Sequence, residues 1–353
     1  MPWTWFKQAE YESVNLVSSD KDSSVASGKG PPSFKAALLE SVMGQAGSVS
    51  FEERVVHTVR GSEQSILNCE VGPDGKILAT CSSDGTIYLW NLSTGELLRS
   101  LKGHNQEVTS CSFSGPILAS ASQDGVVILW HYNTGKRASR LAVHSGPVFD
   151  CAFSKDGRAL ATCSKDTTVR HFKIKPGSGE FVPGVDTRIL AGRQGHRAPV
   201  NTVAFSLDNN YIFSGSEDGV IKKWSRSEGK CLETQDGRFG PVRSIRFAPM
   251  EEIFISLSGS NVVVWNLGER MDVRQVLDVQ GRKVQAISFV PDSNYFVGVT
   301  SDRLVSIWEP MRQNAKPILR RTEHEGSILC CCFDPQGRYF VTSDSSGYTQ
   351  IWV

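Results

Sequence analysis

Histidine, serine or threonine, and aspartate recur together in this sequence, and these are the residue types that activate a nucleophile in many hydrolases. The set occurs three times at similar spacing: His104, Ser120 and Asp124; His144, Thr162 and Asp166; His196, Ser214 and Asp218. A hydrolase needs one nucleophile, one base and one carboxylate that orients the base, so a single copy would suffice for catalysis. The repetition therefore favours a structural role for these side chains.

Motifs for other chemistry are missing from the sequence. It contains no Gly-x-Ser-x-Gly, no Gly-x-x-x-x-Gly-Lys-Ser/Thr and no His-Glu-x-x-His. The nine cysteines include no Cys-x-x-Cys pair, and the run at 330–332 would place adjacent thiols on opposite faces of a strand. We therefore predict no metal and no cofactor.

Composition narrows the class of protein further. The chain has 353 residues with 38 basic and 37 acidic side chains, which argues against a non-specific nucleic-acid binder. No apolar run approaches the roughly 18 residues that a membrane span needs, and the N terminus lacks the pattern of a secretory signal. An odd number of cysteines without such a signal indicates free thiols. We expect no membrane contact and a cytoplasmic location, with the nucleus as the alternative.

Seven similar segments, each ending in an aromatic residue, run along the chain. The segment that ends at Trp90 reads TCSSDGTIYLW, and the next reads SASQDGVVILW. The closing aromatics are 40 to 52 residues apart: Trp90, Trp130, Phe172, Trp224, Trp265, Trp308 and Trp352. A near-constant period of this length is typical of repeat architectures in which each repeat is one supersecondary unit.

Each repeat contains three short apolar runs separated by turn residues. In the second repeat the runs are 108–113, 117–120 and 126–130, with Asp124-Gly125 before the third. Asp-Gly tolerates the positive dihedral angles of tight hairpin turns. A more polar run follows each aromatic, as at 96–101, and suits an outer edge. The repeat thus predicts four antiparallel strands.

These residues resemble the WD40-repeat family over about residues 51–353. Gly103-His104 and Gly195-His196 precede two repeats, and five repeats have Asp six positions before the closing aromatic. The resemblance implies an all-β, seven-bladed β-propeller of four-stranded antiparallel blades. It also implies a hydrogen-bonded tetrad of Trp, Ser or Thr, His and Asp within a blade. The tetrad residues expected here are His104, Ser120, Asp124, Trp130, His144, Thr162, Asp166, His196, Ser214, Asp218 and Trp224.

Some repeats depart from the tetrad pattern. The third ends in Phe172, which donates no hydrogen bond, and the seventh has Ser346 at the place of the Asp. Only the second and fourth repeats carry the full set.

The two ends of the repeat region are predicted to share one blade. Trp352 is followed by a single residue, so the last blade lacks an outer strand and would expose a sheet edge. A strand-like piece at 53–59 precedes the first repeat and belongs to no earlier blade. We expect it to complete the seventh blade and close the ring.

Residues 1–50 are expected to form a flexible N-terminal tail. They are rich in Ser, Gly and Pro, a composition that does not bury a core. A short helix at about 33-43 would place Phe34, Leu38 and Val42 on one face. Such a helix is too short to be stable alone, so the segment is either coil or a piece that docks on another surface.

The remaining surface predicts the function. In this family the top face of the propeller, which carries the Asp turns, often binds peptides. The candidate partner-binding residues there are Phe149, Lys165, Arg238, Arg243, Arg282 and Lys283. Clustered arginines suit an acidic or phosphorylated peptide, although solvated loops also carry charge without binding anything.

Three functions remain open. The first is a non-enzymatic protein-interaction scaffold or adaptor that binds partner proteins or peptides through the top face and rim, with the N-terminal segment as a second contact. The alternative is a substrate receptor of a ubiquitin ligase complex; one class of these carries Trp-Asp-x-Arg, which this chain lacks. The third is an enzyme with a pocket in the central channel, which would require titratable groups without counterparts in the other blades.

Overall fold

The computed structural model describes residues 33–35, 54–181, 188–191, 194–310 and 318–353, apart from 237, 251, 269 and 278. Within these residues the chain forms seven antiparallel sheets that follow one another in sequence as the blades of a propeller. The all-β, seven-bladed fold predicted from the repeats is confirmed.

The strands of each blade are given from the innermost strand outwards. Blade 1 has β2 (Ile66–Val71), β3 (Ile77–Ser82), β4 (Thr86–Asn91) and β5 (Leu97–Lys102). Blade 2 has β6 (Val108–Ser114), β7 (Ile117–Ser122), β8 (Val126–His131) and β9 (Lys136–Ala142). Blade 3 has β10 (Val148–Phe153), β11 (Ala159–Ser164), β12 (Val169–Lys175), β13 (Glu180–Phe181) and β14 (Arg188–Leu190). Blade 4 has β15 (Val200–Phe205), β16 (Tyr211–Ser216), β17 (Ile221–Ser225) and β18 (Cys231–Gln235).

The second half continues the same order. Blade 5 has β19 (Val242–Phe247), β20 (Ile253–Ser258), β21 (Asn261–Leu267) and β22 (Met271–Leu277). Blade 6 has β23 (Val284–Phe289), β24 (Phe296–Thr300), β25 (Leu304–Trp308) and β26 (Ile318–Arg321). Blade 7 has β27 (Ile328–Phe333), β28 (Phe340–Asp344) and β29 (Tyr348–Trp352), with β1 (Val55–Arg60) as its outer strand.

The first strand in sequence lies in the last blade. β1 pairs antiparallel with β29, so that Val55 lies opposite Trp352 and Arg60 opposite Tyr348. Val59 of β1 is buried and packs in one cluster with Ile351 and with Cys69 of blade 1. The pairing covers the edge that β29 would otherwise expose.

Burial within a blade follows strand position. Every residue of the middle strands β7, β11 and β20 is buried, whereas five of the six residues of the outer strand β5 are exposed. Middle strands are covered on both faces by neighbouring blades, which explains their continuous small and apolar sequence. Polar residues accumulate where the sheet meets water.

Blade 3 differs from the others at its outer edge. The short strand β14 pairs with Val169 to His171, and the two-residue strand β13 pairs with Ile174 and Lys175. The hairpin formed by β12 and β13 is an addition to the four-stranded pattern of the other blades. Residues 182–187 lie outside the described part of the chain.

Three residues of the N-terminal region are described, and they contact the propeller. Phe34 and Lys35 have helical backbone conformation, and Phe34 is 2% exposed in a cluster with residues of blades 6 and 7. The remainder of the tail predicted at 1–50 and of the helix predicted at 33–43 lies outside the described residues.

The nine cysteines are free thiols, and eight of them are buried. Within the described residues, no helix is long and apolar enough to cross a membrane.

Candidate functional site: the top face and the central channel

The innermost strand of every blade carries a β-bulge at its second residue. The ladder between the first and second strands shifts register there in all seven blades. A bulge leaves one residue unpaired and redirects its side chain. The seven bulge residues therefore ring the mouth of the channel on the top face, which we define as the face carrying the turns between second and third strands: Leu67, Thr109, Phe149, Asn201, Arg243, Gln285 and Leu329.

Three of the polar bulge residues link neighbouring blades. Thr109 Oγ1 donates to Val148 O at 2.7 Å, and Asn201 Nδ2 donates to Val242 O at 3.1 Å. Arg243 donates in the same way, to the first residue of the next innermost strand. These side chains point around the ring and hold adjacent blades together.

The guanidinium of Arg243 is hydrogen-bonded within the protein. Its guanidinium donates to Val284 O at 3.0 Å, to Gly259 O at 2.9 Å and to Gln285 Oε1 at 3.3 Å. Burial lowers the pKa of Arg243 from the usual arginine value. Its fork is therefore already occupied by three acceptors, which reduces what it offers to an anionic ligand.

Arg282 is also paired. Its Nε donates to Asp302 Oδ2 at 3.2 Å and its Nη1 to Gln280 Oε1 at 2.6 Å. In blade 6, Gln280 lies at the position of the tetrad His and Asp302 at that of the tetrad Asp. Arg282 is half-buried, so part of the guanidinium still faces solvent.

The other candidate partner-binding residues are more accessible. Lys165, Arg238 and Lys283 are exposed on top loops of blades 3, 5 and 6. Phe149 is half-buried at the channel mouth and packs against the core between blades 3 and 4. The structure therefore separates the predicted set into exposed cations, paired arginines and one aromatic residue.

Charge is unevenly distributed over the top loops. The loops at 61–65, 103–107 and 322–327, which enter blades 1, 2 and 7, contain Glu63, Glu107, Glu323 and Glu325 and no lysine or arginine. The top-loop cations lie in blades 3 to 6, together with some acidic residues: Lys165, Arg197, Arg238, Arg282, Lys283, Arg303, Glu217, Asp236 and Asp302. The loops that enter blades 7, 1 and 2 are therefore acidic, and the opposite side of the face carries the cations.

Below these loops, the tetrad of blade 2 forms a hydrogen-bonded chain with one direction. Trp130 Nε1 donates to Ser120 Oγ at 2.9 Å, Ser120 Oγ lies 2.8 Å from His104 Nε2, and His104 Nδ1 lies 3.3 Å from Asp124. Burial lowers the pKa of His104 and outweighs the opposing effect of Asp124, so the ring is neutral at pH 7. A neutral ring with its proton on Nδ1 donates to the carboxylate and accepts from the serine.

Blades 3 and 4 each lack one hydrogen bond of this chain. In blade 3, His144 contacts Thr162 at 2.8 Å and Asp166 at 2.9 Å, and Phe172 supplies no donor. In blade 4, Trp224 Nε1 and His196 Nε2 contact Ser214 at 2.8 and 2.7 Å, while His196 Nδ1 lies 3.6 Å from Asp218. Desolvation opposes ionisation of Asp218, but the attraction of His196 and the hydrogen bonds from two backbone amides outweigh it and lower its pKa.

Blade 7 has a complete tetrad, so the expectation based on Ser346 is wrong. His324 Nδ1 contacts Asp344 at 2.9 Å, His324 Nε2 contacts Thr342 at 2.7 Å, and Trp352 Nε1 donates to Thr342 at 2.9 Å. Asp344 is the last residue of β28 and lies two positions before Ser346, which lies in the following turn. Asp344 also accepts the backbone N–H of Ser346 at 2.9 Å, so it caps the turn as the usual Asp does.

Blade 6 lacks the bond between the indole and a hydroxyl. Gly298 occupies the place of the serine or threonine, and Trp308 Nε1 is buried without a hydrogen-bond partner among the described residues. A Cβ at Gly298 would lie 2.6 Å from Trp308 Cζ3, so the ring fills the space that a side chain would need. The glycine in the sequence was the available signal for this difference.

The central channel contains a second group of polar residues that the motif search missed. A cavity of about 380 Å³ is lined by the innermost strands, including Glu70, Asp150 and Arg246. Asp150 accepts from Ser110 Oγ at 2.7 Å, from Thr202 Oγ1 at 3.1 Å and from two backbone amides. It therefore ties blades 2, 3 and 4 together.

Glu70 is the most perturbed carboxyl in the channel. Burial raises its pKa to about 8, although a backbone N–H of Phe113 and the charge of Arg246 act in the opposite direction. Acidic residues at two first-strand positions, where the other blades have Ser, Thr, Cys or Ala apart from Asn68 and Arg246, were the signal in the sequence. Within the described residues, no group of three or more His, Cys, Asp or Glu side chains could hold a metal ion.

Comparison with known proteins agrees with this geometry. A family model described as WD domain, G-beta repeat matches six segments of the chain: residues 53–91, 95–131, 135–173, 187–225, 273–309 and 315–352. The matched segments run from the outer strand of one blade to the third strand of the next. The outer strand of blade 4 and the innermost three strands of blade 5 lie outside them, and blade 5 has Arg238 and Gly259 where the tetrad His and Asp are expected.

Several relatives match over part of their length. Autophagy-related protein 16 of Arabidopsis thaliana is 22% identical over 303 residues, covering 85% of this chain and 49% of that protein. Transcription initiation factor TFIID subunit 5 of Caenorhabditis elegans is 29% identical over 164 residues, covering 45% of this chain and 24% of that protein. Target of rapamycin complex subunit wat1 of Schizosaccharomyces pombe is 22% identical over 164 residues, covering 45% of this chain and 52% of that protein. The chain spans about half the length of these relatives or less.

Proposed function

Because the chain belongs to the WD40-repeat family, we propose that it is a non-enzymatic interaction scaffold that binds partner proteins through the top face. Two relatives are named as subunits, one of a transcription initiation factor and one of a target of rapamycin complex. Those names support a role within a multi-protein assembly. Fold alone does not assign a function, so the proposal depends on the features of the top face.

The observation that carries the proposal is a channel mouth with three accessible apolar side chains, surrounded by loops of separated charge. Leu67, Phe149 and Leu329 are half-exposed at the mouth, and the loops around it are acidic where they enter blades 7, 1 and 2 and carry their cations in blades 3 to 6. Protein interfaces combine an apolar centre with a polar rim, and separated charge sets the orientation of a partner.

The cationic side favours an acidic or phosphorylated segment of the partner. Arg238 and Lys283 are exposed on the loops entering adjacent blades 5 and 6, and Arg282 retains partial exposure between its two partners. Arginine binds carboxylates and phosphates through two hydrogen bonds, and a lysine adds a point charge. Arg243 is assigned the role of holding this rim in place, since its donors reach backbone carbonyls of blades 5 and 6.

The test is charge reversal with a matched control. Arg238→Glu combined with Lys283→Glu changes the top face, and Arg137→Glu combined with Lys155→Glu makes the same change at exposed positions of an outer strand and a bottom turn. All four residues are exposed, so both variants should melt within about 1 °C of the parent. Proteins that co-purify with the full chain are quantified by mass spectrometry.

The proposal expects that partners are lost from the top-face variant and retained by the control. Retention by both variants, or equal loss from both, would refute the top face as the binding surface. Phosphatase treatment of the extract before capture separates the two ligand chemistries, because only a phosphorylated partner is released by it.

A further inference from the structure

Phe34 is buried in the propeller although it lies outside the repeats, which the structure describes from Arg54 onwards. Only 2% of its surface is exposed. Its ring centroid lies 5.1 Å from that of Phe340 and 5.8 Å from that of Phe333. A single side chain from outside the blades thus completes an aromatic cluster on their bottom side.

Main-chain hydrogen bonds hold the same segment. Phe34 N donates to Arg338 O at 3.2 Å, and Lys35 N donates to Gly337 O at 2.9 Å. Gly337 has a φ of +68°, and a Cβ there would lie 2.9 Å from Lys35 Cβ. The glycine therefore serves both the turn and the close approach of the segment.

A charged contact extends the site into blade 6. Lys35 Nζ lies 3.4 Å from Asp292 Oδ2, in the turn between β23 and β24. The Asp292 side chain is 76% exposed, so it is accessible to a cation supplied by any chain. We call the site formed by Phe333, Phe340, Gly337, Arg338 and Asp292 the base pocket.

None of these contacts requires that the ligand be part of the same chain. The segment contributes one aromatic side chain, two backbone N–H groups and one cation that follows the aromatic residue, and a short peptide motif can supply all of these groups. We propose that the base pocket is a docking site for partner peptides that present phenylalanine followed by lysine or arginine, and that Phe34 is its resident occupant. A partner peptide binds by exchanging with Phe34.

Phe34 and the base pocket belong to one chain, so a partner peptide competes with an intramolecular contact, for which effective concentrations are about 1 mM. A peptide that repeats the contacts of residues 34 and 35 and adds others of its own displaces the segment. The base pocket lies on the opposite face from the Asp turns, so this site is separate from the proposed top face.

The experiment uses the full chain and a labelled synthetic peptide of residues 29–43. Phe34→Ala empties the pocket, and fluorescence anisotropy compares peptide binding by this variant and by the parent. The parent should bind at least about 10-fold more weakly, because its pocket is occupied in most molecules. A peptide with Phe34→Ala should not bind either protein, and Asp292→Asn in the emptied chain should weaken binding of the parent peptide.

A second variant covers the case in which Phe34→Ala does not fold. Lys35→Glu leaves the base pocket intact and replaces attraction to Asp292 by repulsion, so it should also gain affinity for the peptide relative to the parent. Equal binding by parent and variants, or no binding by either variant, would overturn the proposal. Concentration-dependent dimers of the parent in sedimentation would also overturn it, since the occupant would then be a second copy.

Discussion

Replacing Thr342 by valine tests whether the tetrads stabilise the propeller. Thr342 is fully buried in blade 7, where its hydroxyl accepts from Trp352 Nε1 at 2.9 Å and lies 2.7 Å from His324 Nε2. Valine has nearly the same shape, so Thr342→Val removes both hydrogen bonds and leaves packing almost unchanged.

The expected loss of stability follows from the two polar groups that Thr342→Val leaves without a hydrogen bond. The indole N–H and the imidazole nitrogen are both buried, and each unpaired buried polar group costs about 1–3 kcal/mol. A total of about 3 kcal/mol divided by an unfolding entropy of about 0.6 kcal/mol per kelvin for a domain of this size gives a fall of about 5 °C in Tm.

Thermal and urea denaturation followed by circular dichroism measure the change. Ser346→Ala is the control, because the backbone N–H of Ser346 donates to Asp344 and needs no side chain. It should change the free energy of unfolding by less than about 0.5 kcal/mol. If Thr342→Val melts within about 1 °C of the parent, the argument that the tetrad stabilises blade 7 is wrong.

Three further predictions concern the channel, blade 6 and ring closure. Glu70→Gln should stabilise the protein at pH 8 by about 2–4 kcal/mol and have little effect at pH 4. The reason is that the folded protein holds the proton of Glu70 up to a pKa of about 8, so the free energy of unfolding falls as the pH rises above the ordinary pKa of a glutamate in the unfolded chain. Tm measured against pH tests this, and a pH-independent difference would contradict it. Gly298→Ser should destabilise by about 1–3 kcal/mol despite offering a hydroxyl to Trp308, since its Cβ would meet the ring; a higher Tm would show that the indole can shift. Deleting residues 54–60 should abolish cooperative unfolding and cause aggregation, because β29 loses its partner; a soluble variant with the Tm of the parent would exclude this.

Much of the fold was predictable because each repeat carries its own strands and turns, and several repeats carry their own tetrad. Local spacing placed His104, Ser120 and Asp124 in one chain of hydrogen bonds, since these residues belong to one blade. The same reasoning failed at Ser346, where a fixed offset from Trp352 was assumed. The structure places the carboxylate of Asp344, the last residue of β28, against His324 instead.

The hydrogen-bond partners of the top-face arginines could not be predicted from local sequence. The sequence indicated Arg243 and Arg282 as cations on one rim, but it does not show which acceptors surround them. Arg243 reaches the backbone of the next blade, and Arg282 reaches Asp302 across the blade. The acceptors of these two arginines are set by the folded backbone and loops. The accessible cations could therefore be distinguished from the paired ones only in the folded protein.

The sequence by itself determined the number of blades, their order and most of the residues that hold each blade together, because those properties depend on neighbours within about one repeat of the chain. Tertiary structure decided what depends on distant segments: Phe34 lies against Phe340, and Asp150 binds Ser110 and Thr202. Packing between adjacent blades brings Asp150 to its partners, and residue 34 reaches blade 7 from outside the repeats, so the burial and pairing of these groups exist only in the folded protein.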